Sequence, residues 1–168
     1  MICYIGAGSN VGDRLKNIRD AVWTLNKKEG VAVRRTAPVY ETEPQGGPGH
    51  QMDYYNTVLE LECQLPAREL LVTLQDIEKK IGRKPRPLRW SKREIDLDIL
   101  LFDNQVIQEK DLEIPHPLMT QRYFVLKPLS DLAPHLAHPV FKKEVLSLLK
   151  SLKERGRVRK IEETVSGY

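Results

Sequence analysis

At 168 residues, 40% of them hydrophobic, the chain is long enough for one domain built around a single core. Its 27 basic residues exceed its 23 acidic residues by only four, too small an excess to indicate a polycation. No apolar run approaches the roughly 18 residues of a membrane span, and the first residues lack the basic segment of a signal peptide. Two cysteines provide neither a disulfide framework nor a four-ligand zinc site, so we expect a reducing, cytoplasmic setting.

The first half of the chain predicts two strands, a helix and a loop. Residues 2–5 predict a buried strand that ends in Gly6-Ala7-Gly8. Residues 31–40 predict a second strand, and the glycines and prolines of 43–49 predict a loop. Between the strands, apolar residues recur at steps of three and four and predict an amphipathic helix that Gly30 ends: Leu15, Ile18, Val22 and Leu25.

The second half continues the alternation of strands and helices. Strands are predicted at 56–63, 94–102 and 106–107, and a last helix at 143–153, followed by a charged tail. A further helix is predicted to begin at Pro66 and end at Gly82, with a buried stripe of Leu70, Leu74, Ile77 and Ile81. Strands grouped in hairpins with helices between them predict an α+β sandwich, in which a mostly antiparallel sheet carries helices on its faces.

The clearest candidate for chemistry is the pair Asp96 and Asp98, which alternates with apolar residues over 95–99. Because alternate side chains of a strand share a face, both carboxylates point one way, about 6.6 Å apart at ~3.3 Å per residue. Such a pair suits Mg²⁺, which takes one or two carboxylates and completes its shell with water and substrate phosphates. On spacing alone, a solvated outer face of an amphipathic strand is an equally good interpretation.

The segment before this strand, residues 83–93, is strongly basic. It holds six arginines and lysines and no acidic residue, with Trp90 among them. Guanidinium groups grip phosphates through paired hydrogen bonds, and an indole offers a face for a nucleobase. Beside paired aspartates, such a loop favours binding of a nucleoside triphosphate with Mg²⁺. A solvated charged loop and a nucleic-acid patch remain the alternatives.

Several motifs follow one another along residues 2–139. The most specific are the block 89–100, which contains Arg-Trp and Asp-Leu-Asp-Ile-Leu, and Pro115-His116-Pro117. The others are Gly8-Ser9-Asn10, Tyr40-Glu41-Thr42, Asp53-Tyr54-Tyr55-Asn56, the run 122–126 and Pro128-Leu129. In content and order they resemble the 6-hydroxymethyl-7,8-dihydropterin pyrophosphokinase family. The tail at about 154–168 lies outside the resemblance, and we expect the whole chain to form one domain.

This resemblance implies transfer of pyrophosphate from ATP to the hydroxymethyl group of a dihydropterin in folate biosynthesis, giving AMP, on a ferredoxin-like α+β sandwich. It implies two Mg²⁺ ions on Asp96 and Asp98, and catalytic roles for Arg83, Arg93 and both aspartates. ATP would be bound by Gln75, Glu78, Trp90, Arg93, Ile99, His116 and Arg122. The pterin would be surrounded by Thr42, Tyr54, Asn56, Asp96 and Phe124. Its partners would be small molecules, with no nucleic acid, membrane or obligatory protein partner.

The sequence departs from the family pattern in its loops. Glu43 stands where proline is common, and Gln45 where an apolar residue is common. Ser91-Lys92 replaces Gly-Pro, and Pro85 stands in place of a second loop arginine. The rival interpretations are a nucleic-acid-binding module that uses residues 83–93, and another Mg²⁺-dependent phosphate-processing enzyme, such as a nuclease or glycosyltransferase.

Overall fold

The computed structural model describes residues 1–46, 49–82 and 92–165. Most of the predicted basic loop, including Arg83 and Trp90, therefore lies outside the described residues. The strands are β1 (Ile2–Ser9), β2 (Val31–Thr36), β3 (Tyr40–Thr42), β4 (Tyr54–Cys63), β5 (Asp96–Phe102), β6 (Ile107–Glu109), β7 (Leu112–Ile114) and β8 (Val158–Lys160). The helices are α1 (Arg14–Asn26), α2 (Ala67–Ile81), α3 (Tyr123–Leu132) and α4 (Val145–Ser151), with a 3₁₀ turn at Met119–Gln121.

One sheet organises the described residues. Its strands follow the order β5-β1-β4-β3-β8, with β2 paired to β4 beside β3, and every pairing among them is antiparallel. Strands β6 and β7 form a separate hairpin. The predicted α+β class with a mostly antiparallel sheet is therefore confirmed.

Both faces of the sheet are covered, because alternate residues of the central strands are apolar on both sides. Helices α1 and α2 pack on one face through Ile18, Leu25, Leu70 and Leu74, which are fully buried against residues such as Ile5 of β1. Helices α3 and α4 pack on the other face through Leu126, Leu129, Val145 and Leu148, against Tyr4, Val58 and Leu100 of the sheet. The sheet is thus the middle layer of a helix–sheet–helix sandwich.

The main differences from the sequence predictions lie in the sheet. Strand β1 does not end at Gly6 but runs to Ser9, so its glycines lie within the sheet. The strand predicted at 31–40 is two strands, β2 and β3. The charged tail is partly sheet, because β8 pairs with β3.

No element was predicted for α3, which contains Pro128. A proline within a helix lacks the N–H of the ladder and normally predicts a helix end. The helix forms nonetheless because its apolar side chains are buried in the second core cluster.

Candidate active site

A cavity of about 370 Å³ opens on the face of the sheet that carries α3. Its walls come from the ends of β1, β3, β4 and β5, from α2, and from the segment between His116 and Val125. Most of the site residues implied by the resemblance meet here: Thr42, Tyr54, Asn56, Gln75, Glu78, Arg93, Asp96, Asp98, His116, Arg122 and Phe124. The arrangement joins residues 82 positions apart in the sequence into one concave surface.

The floor of the cavity is the glycine pair of β1. Gly8 lies between Asn56 of β4 and Asp96 of β5 in the strand register, and Gly6 lies between Val58 and Asp98. A Cβ atom on Gly8 would stand 2.7 Å from Asn56 Oδ1, closer than such atoms approach. The missing side chain at Gly8 therefore leaves room for the Asn56 carboxamide and keeps the floor open.

The acidic wall consists of Asp96 and Asp98 on β5 and Glu78 on α2. Burial, together with the charges of Asp96 and Glu78, raises the pKa of Asp98 to about 7. Glu78 is buried, and its Oε1 accepts a hydrogen bond from the Leu97 backbone N–H at 2.7 Å. Helix α2 thus holds the edge strand β5 and adds a third carboxylate to the cavity wall.

Arg93 faces this wall from the residues that lead into β5. Its Nη1 donates to Asp96 Oδ1 at 2.9 Å. Its backbone is fixed by Asn10, whose Oδ1 accepts from the Arg93 N–H at 2.8 Å and whose own N–H donates to the Arg93 carbonyl at 3.0 Å. Asn10 is 1% exposed, and its side-chain amide also donates to Gln51 Oε1 at 3.1 Å. One buried asparagine therefore ties Arg93 to the loop before β4.

His116 presents a defined tautomer to the cavity. Its Nδ1 accepts a hydrogen bond from the Leu118 N–H at 3.1 Å, so the proton of the neutral ring sits on Nε2. Burial, and after it the charge of Arg122, lowers the pKa of His116 to about 4. The ring is therefore a neutral donor near pH 7, beside the permanent positive charge of Arg122.

The opposite end of the cavity carries amide, hydroxyl and aromatic groups. Asn56 Nδ2 donates to Thr42 Oγ1 at 2.7 Å, which fixes the plane of the carboxamide. Tyr54 and Phe124 line the same region, and the Arg122 guanidinium lies 5.6 Å from the centre of the Phe124 ring. Burial, and then the charge of Asp96, raises the pKa of Tyr54, so its phenol stays protonated. This end offers hydrogen bonds and ring faces to a flat polar heterocycle.

Ile99, unlike most of the other predicted site residues, does not line the cavity. Its side chain is 5% exposed and lies in the core beneath α1 and α2, away from the cavity lining. The alternation of β5 explains this, because Ile99 lies on the face opposite to Asp96 and Asp98. Its contact with ATP stays a prediction, as do those of Trp90 and Arg83 outside the described residues.

Sequence reasoning did not single out Asn10, Glu43, Gln45 or the glycine floor as parts of the site. Asn10 belongs to a motif quoted for the resemblance, but its signal, a polar residue at the end of a buried strand, also fits a helix cap. Gly6 and Gly8 stand only as the end of the predicted first strand, because nothing in the sequence shows what lies across from each glycine.

The carboxylates fit a magnesium ion. Among the described residues no group of three or more histidine, cysteine or acidic side chains is arranged as a complete metal site. Two carboxylates such as those of Asp96 and Asp98 are what Mg²⁺ uses when water and phosphate oxygens supply its other ligands. Burial, and after it the charges of Asp96 and Glu78, raises the pKa of Asp98, and a divalent cation bound there would favour the ionised carboxylate.

Comparison with known proteins defines the class of protein as a pterin pyrophosphokinase. A family model described as 7,8-dihydro-6-hydroxymethylpterin-pyrophosphokinase matches residues 4–134. The chain is 39% identical over 140 residues to the 2-amino-4-hydroxy-6-hydroxymethyldihydropteridine pyrophosphokinase of Aquifex aeolicus, covering 83% of this chain and 85% of that protein. It is 42% identical over 131 residues to the protein of the same name from Bacillus subtilis, covering 78% and 77%. The chain belongs to the 7,8-dihydro-6-hydroxymethylpterin-pyrophosphokinase family.

Solved structures agree on the fold. The HPPK-DHPS protein of Plasmodium falciparum superimposes with a TM-score of 0.70 at 17% identity, over 89% of this chain and 45% of that one. At this identity the likeness shows the fold alone, and it confirms the ferredoxin-like α+β sandwich. This chain spans less than half of that longer protein.

Proposed function

We propose that the cavity transfers the terminal pyrophosphate of ATP to 6-hydroxymethyl-7,8-dihydropterin, giving AMP and the pterin pyrophosphate in folate biosynthesis. One observation carries the proposal. A single cavity joins the paired carboxylates Asp96 and Asp98, with arginines beside them, to a second end lined by Asn56, Thr42 and aromatic rings. The first end suits a metal-bound polyphosphate and the second suits a pterin.

At the nucleotide end of the cavity, some residues would bind the base of ATP and others its phosphates. The Nε2–H of neutral His116 is a donor that carries no charge, and Gln75 offers both a donor and an acceptor. Arg122 and Arg93 supply positive charge beside the phosphate chain. We assign Glu78, Trp90 and Ile99 to the same ATP site from the family motif, and Arg83 to its phosphates.

Asp96 and Asp98 would hold Mg²⁺, for which we propose two ions. Bound there, Mg²⁺ would neutralise phosphate charge and align the attacking and leaving oxygens. Arg93, paired with Asp96 at 2.9 Å, stands where it can exchange that carboxylate for a phosphate oxygen as ATP binds. Charge neutralisation and alignment by these groups are the main contributions a protein makes to such a transfer.

At the pterin end, Asn56 presents its carboxamide edge to the donors and acceptors of the heterocycle. Its hydrogen bond to Thr42 orients that edge before substrate arrives, which reduces the ordering cost of binding. Tyr54 and Phe124 would contact the faces of the ring. The pterin hydroxymethyl group would then point towards the Asp96 side of the cavity, because Asp96 lies across Gly8 from Asn56.

The nucleotide product tests this function. The protein is incubated with ATP, Mg²⁺ and the hydroxymethyl dihydropterin, and the nucleotides are separated by chromatography. We expect AMP in one-to-one yield with pyrophosphorylated pterin, because attack falls on the β-phosphorus. The Asp98→Ala variant should lose at least about 100-fold in rate, or ~2.8 kcal/mol. ADP as the main product, or full activity of Asp98→Ala, would contradict the proposal.

We further propose that the enzyme works in the cytoplasm. Cys3 and Cys63 are both free thiols and buried, which suits a reducing compartment. Within the described residues no helix is long and apolar enough to cross a membrane.

A further inference from the structure

The C-terminal tail returns to the strand that enters the pterin end of the cavity. Strand β8 pairs with β3 in a register that runs from Tyr40↔Lys160 to Thr42↔Val158. Beyond it, Ile161 and Val165 are 6% and 1% exposed within the core beneath α1 and α2. The family model matches residues 4–134, so this tail lies outside the matched part. The tail is nevertheless anchored firmly enough to hold other groups in place.

Arg157, just before β8, joins both ends of the loop at 43–53. Its backbone N–H donates to Glu43 Oε1 at 2.9 Å, and its carbonyl accepts from the Glu43 N–H at 3.4 Å. Its Nη2 donates to both carboxylate oxygens of Asp53, at 2.8 and 2.7 Å. A single residue of the tail therefore connects the first residue of the loop with the last.

A network of ion pairs surrounds this connection. Arg159 Nη2 donates to Glu41 Oε1 at 2.7 Å, and Arg14 Nη1 donates to Glu41 Oε2 at 3.0 Å and to the Asp53 carbonyl at 2.7 Å. The hydrogen bond from Arg159, together with that from Arg14, lowers the pKa of Glu41. Isolated ion pairs at a surface contribute little, but shared partners and good geometry make a network more effective.

The loop ends that Arg157 joins adjoin the pterin end of the cavity. Glu43 follows Thr42, Asp53 precedes Tyr54, and Glu43, Thr42 and Tyr54 all line the cavity. We propose that Arg157 is a positioning residue for pterin binding, which acts by holding the two ends of the 43–53 loop together. The proposal rests on the proposed function for its substrate. It predicts that the pterin end is organised before substrate binds, whereas the nucleotide end does not depend on the tail.

The test compares two arginines of the same tail. Arg157→Ala removes the side-chain hydrogen bonds to Asp53 and leaves the backbone pairing with Glu43, so the two ends of the loop are no longer joined. Arg159→Ala removes an equally exposed arginine whose ion pair is to Glu41 within β3. Hydrogen exchange of the free protein is followed for the amides of residues 49–54. We expect faster exchange there in Arg157→Ala than in wild type, and wild-type exchange in Arg159→Ala.

Kinetics then separate positioning from general stability. For Arg157→Ala we expect the KM for the pterin to rise by roughly threefold to tenfold, as a charge-assisted contact is lost, while the KM for ATP stays within about twofold. Arg157→Lys keeps a positive charge beside Asp53, and should recover part of the loss. Arg159→Ala should keep both KM values.

Two results would overturn the proposal. One is unchanged exchange and unchanged pterin KM in Arg157→Ala. The other is an equal rise in both KM values in both alanine variants, which would indicate general loosening of the tail. Failure of the wild type to produce AMP would contradict the proposed function instead, and hydrogen exchange would still decide whether Arg157 holds the loop.

Discussion

Gly8 shows how an absent side chain can shape a binding site. Its position between Asn56 and Asp96 places it beneath the border of the two ends of the cavity. Any Cβ there meets Asn56 Oδ1 at 2.7 Å, so the carboxamide must turn away from its hydrogen bond to Thr42. Glycine is required at this position because the Asn56 side chain approaches the strand closely, and not because of a special backbone angle.

We therefore predict that Gly8→Ala weakens pterin binding. Displacing the Asn56 carboxamide removes an oriented hydrogen bond to the pterin. We expect this loss to cost about 1 kcal/mol of binding free energy, which corresponds to about a fivefold rise in the pterin KM. Gly6→Ala is the matched control, because its Cβ would meet the Leu100 side chain at an ordinary 3.5 Å. Steady-state kinetics with each substrate varied in turn measures the effect. An equal loss in both variants would show that Asn56 is not the group disturbed.

At this scale the sequence points to the charged residues that line the cavity more readily than to the small or buried ones. Asp96, Asp98 and Arg122 carry their chemistry in their side chains, and the family motif fixes their positions. Asn10 acts through hydrogen bonds to Arg93 and Gln51, which lie 83 and 41 positions further along the chain. A single sequence does not show such distant contacts. For Ile99 two predictions conflict: the alternation of the strand places its side chain in the core, whereas the family motif assigns it to the ATP site.

Among the elements, β4 depends on a polar cluster that crosses three strands. Glu60 is 9% exposed on the α3 face and accepts hydrogen bonds from Tyr4 of β1 at 3.0 Å and from Arg35 Nε of β2 at 3.0 Å. The hydrogen bonds from Arg35, with that from Tyr4, lower the pKa of Glu60 against the opposing effect of burial. The cluster keeps these strands in register beneath α3.

We predict that Glu60→Gln lowers the free energy of unfolding by about 1–2 kcal/mol at pH 7, because a carboxylate that accepts charge-assisted hydrogen bonds is lost. The folded pKa lies below the ordinary 4.5, so this contribution is complete above that pH and is lost as pH falls through the folded pKa. Denaturant unfolding at pH 7 and pH 3 should show the difference between wild type and variant shrinking. Glu62→Gln, two residues along β4, is the control: its side chain is 42% exposed and pairs with Arg34 at the surface, so the substitution should change little.

Elements with their own periodicity were predictable, and those that depend on partners were not. The apolar residues of helix α2 recur at helical spacing and those of strand β5 alternate at strand spacing. Each pattern identifies the element and its buried face without knowledge of the partner that packs against it. Strand β8 is three residues of valine, arginine and lysine, and it is a strand only because β3 offers it a free edge. Helix α3 overcomes Pro128 through burial against the sheet, a tertiary effect that local propensity does not contain.

On the scale of the whole molecule, the tail completes the core. We propose that the chain is one domain in which residues 154–165 unfold together with the rest. Val165, at 1% exposure, packs in the same cluster as β1 and α1, and Arg19 donates two hydrogen bonds to the neighbouring Thr164 carbonyl, at 3.1 and 2.8 Å. A tail bound in this way contributes to global stability.

Val165→Ala should therefore lower the free energy of unfolding by about 1–2 kcal/mol, as two buried carbon atoms are removed. Val140→Ala makes the same chemical change at a residue that is 52% exposed, and should stay within about 0.5 kcal/mol. Both variants should unfold in a single denaturant transition. A separate early transition for the tail, or equal effects of the two substitutions, would contradict this expectation.

The hydrogen bond between Glu78 and the backbone of β5 also bears on strand pairing between two protein molecules. Strand β5 stands at one end of the sheet, and an uncovered edge strand invites pairing with another chain. The Glu78 carboxylate occupies the Leu97 N–H on that edge, so the strand has fewer free groups to offer. At the other end, β8 is only three residues long and carries two positive charges, which discourage a further strand. The same carboxylate that lines the cavity thus helps to protect the protein from aggregation through its sheet.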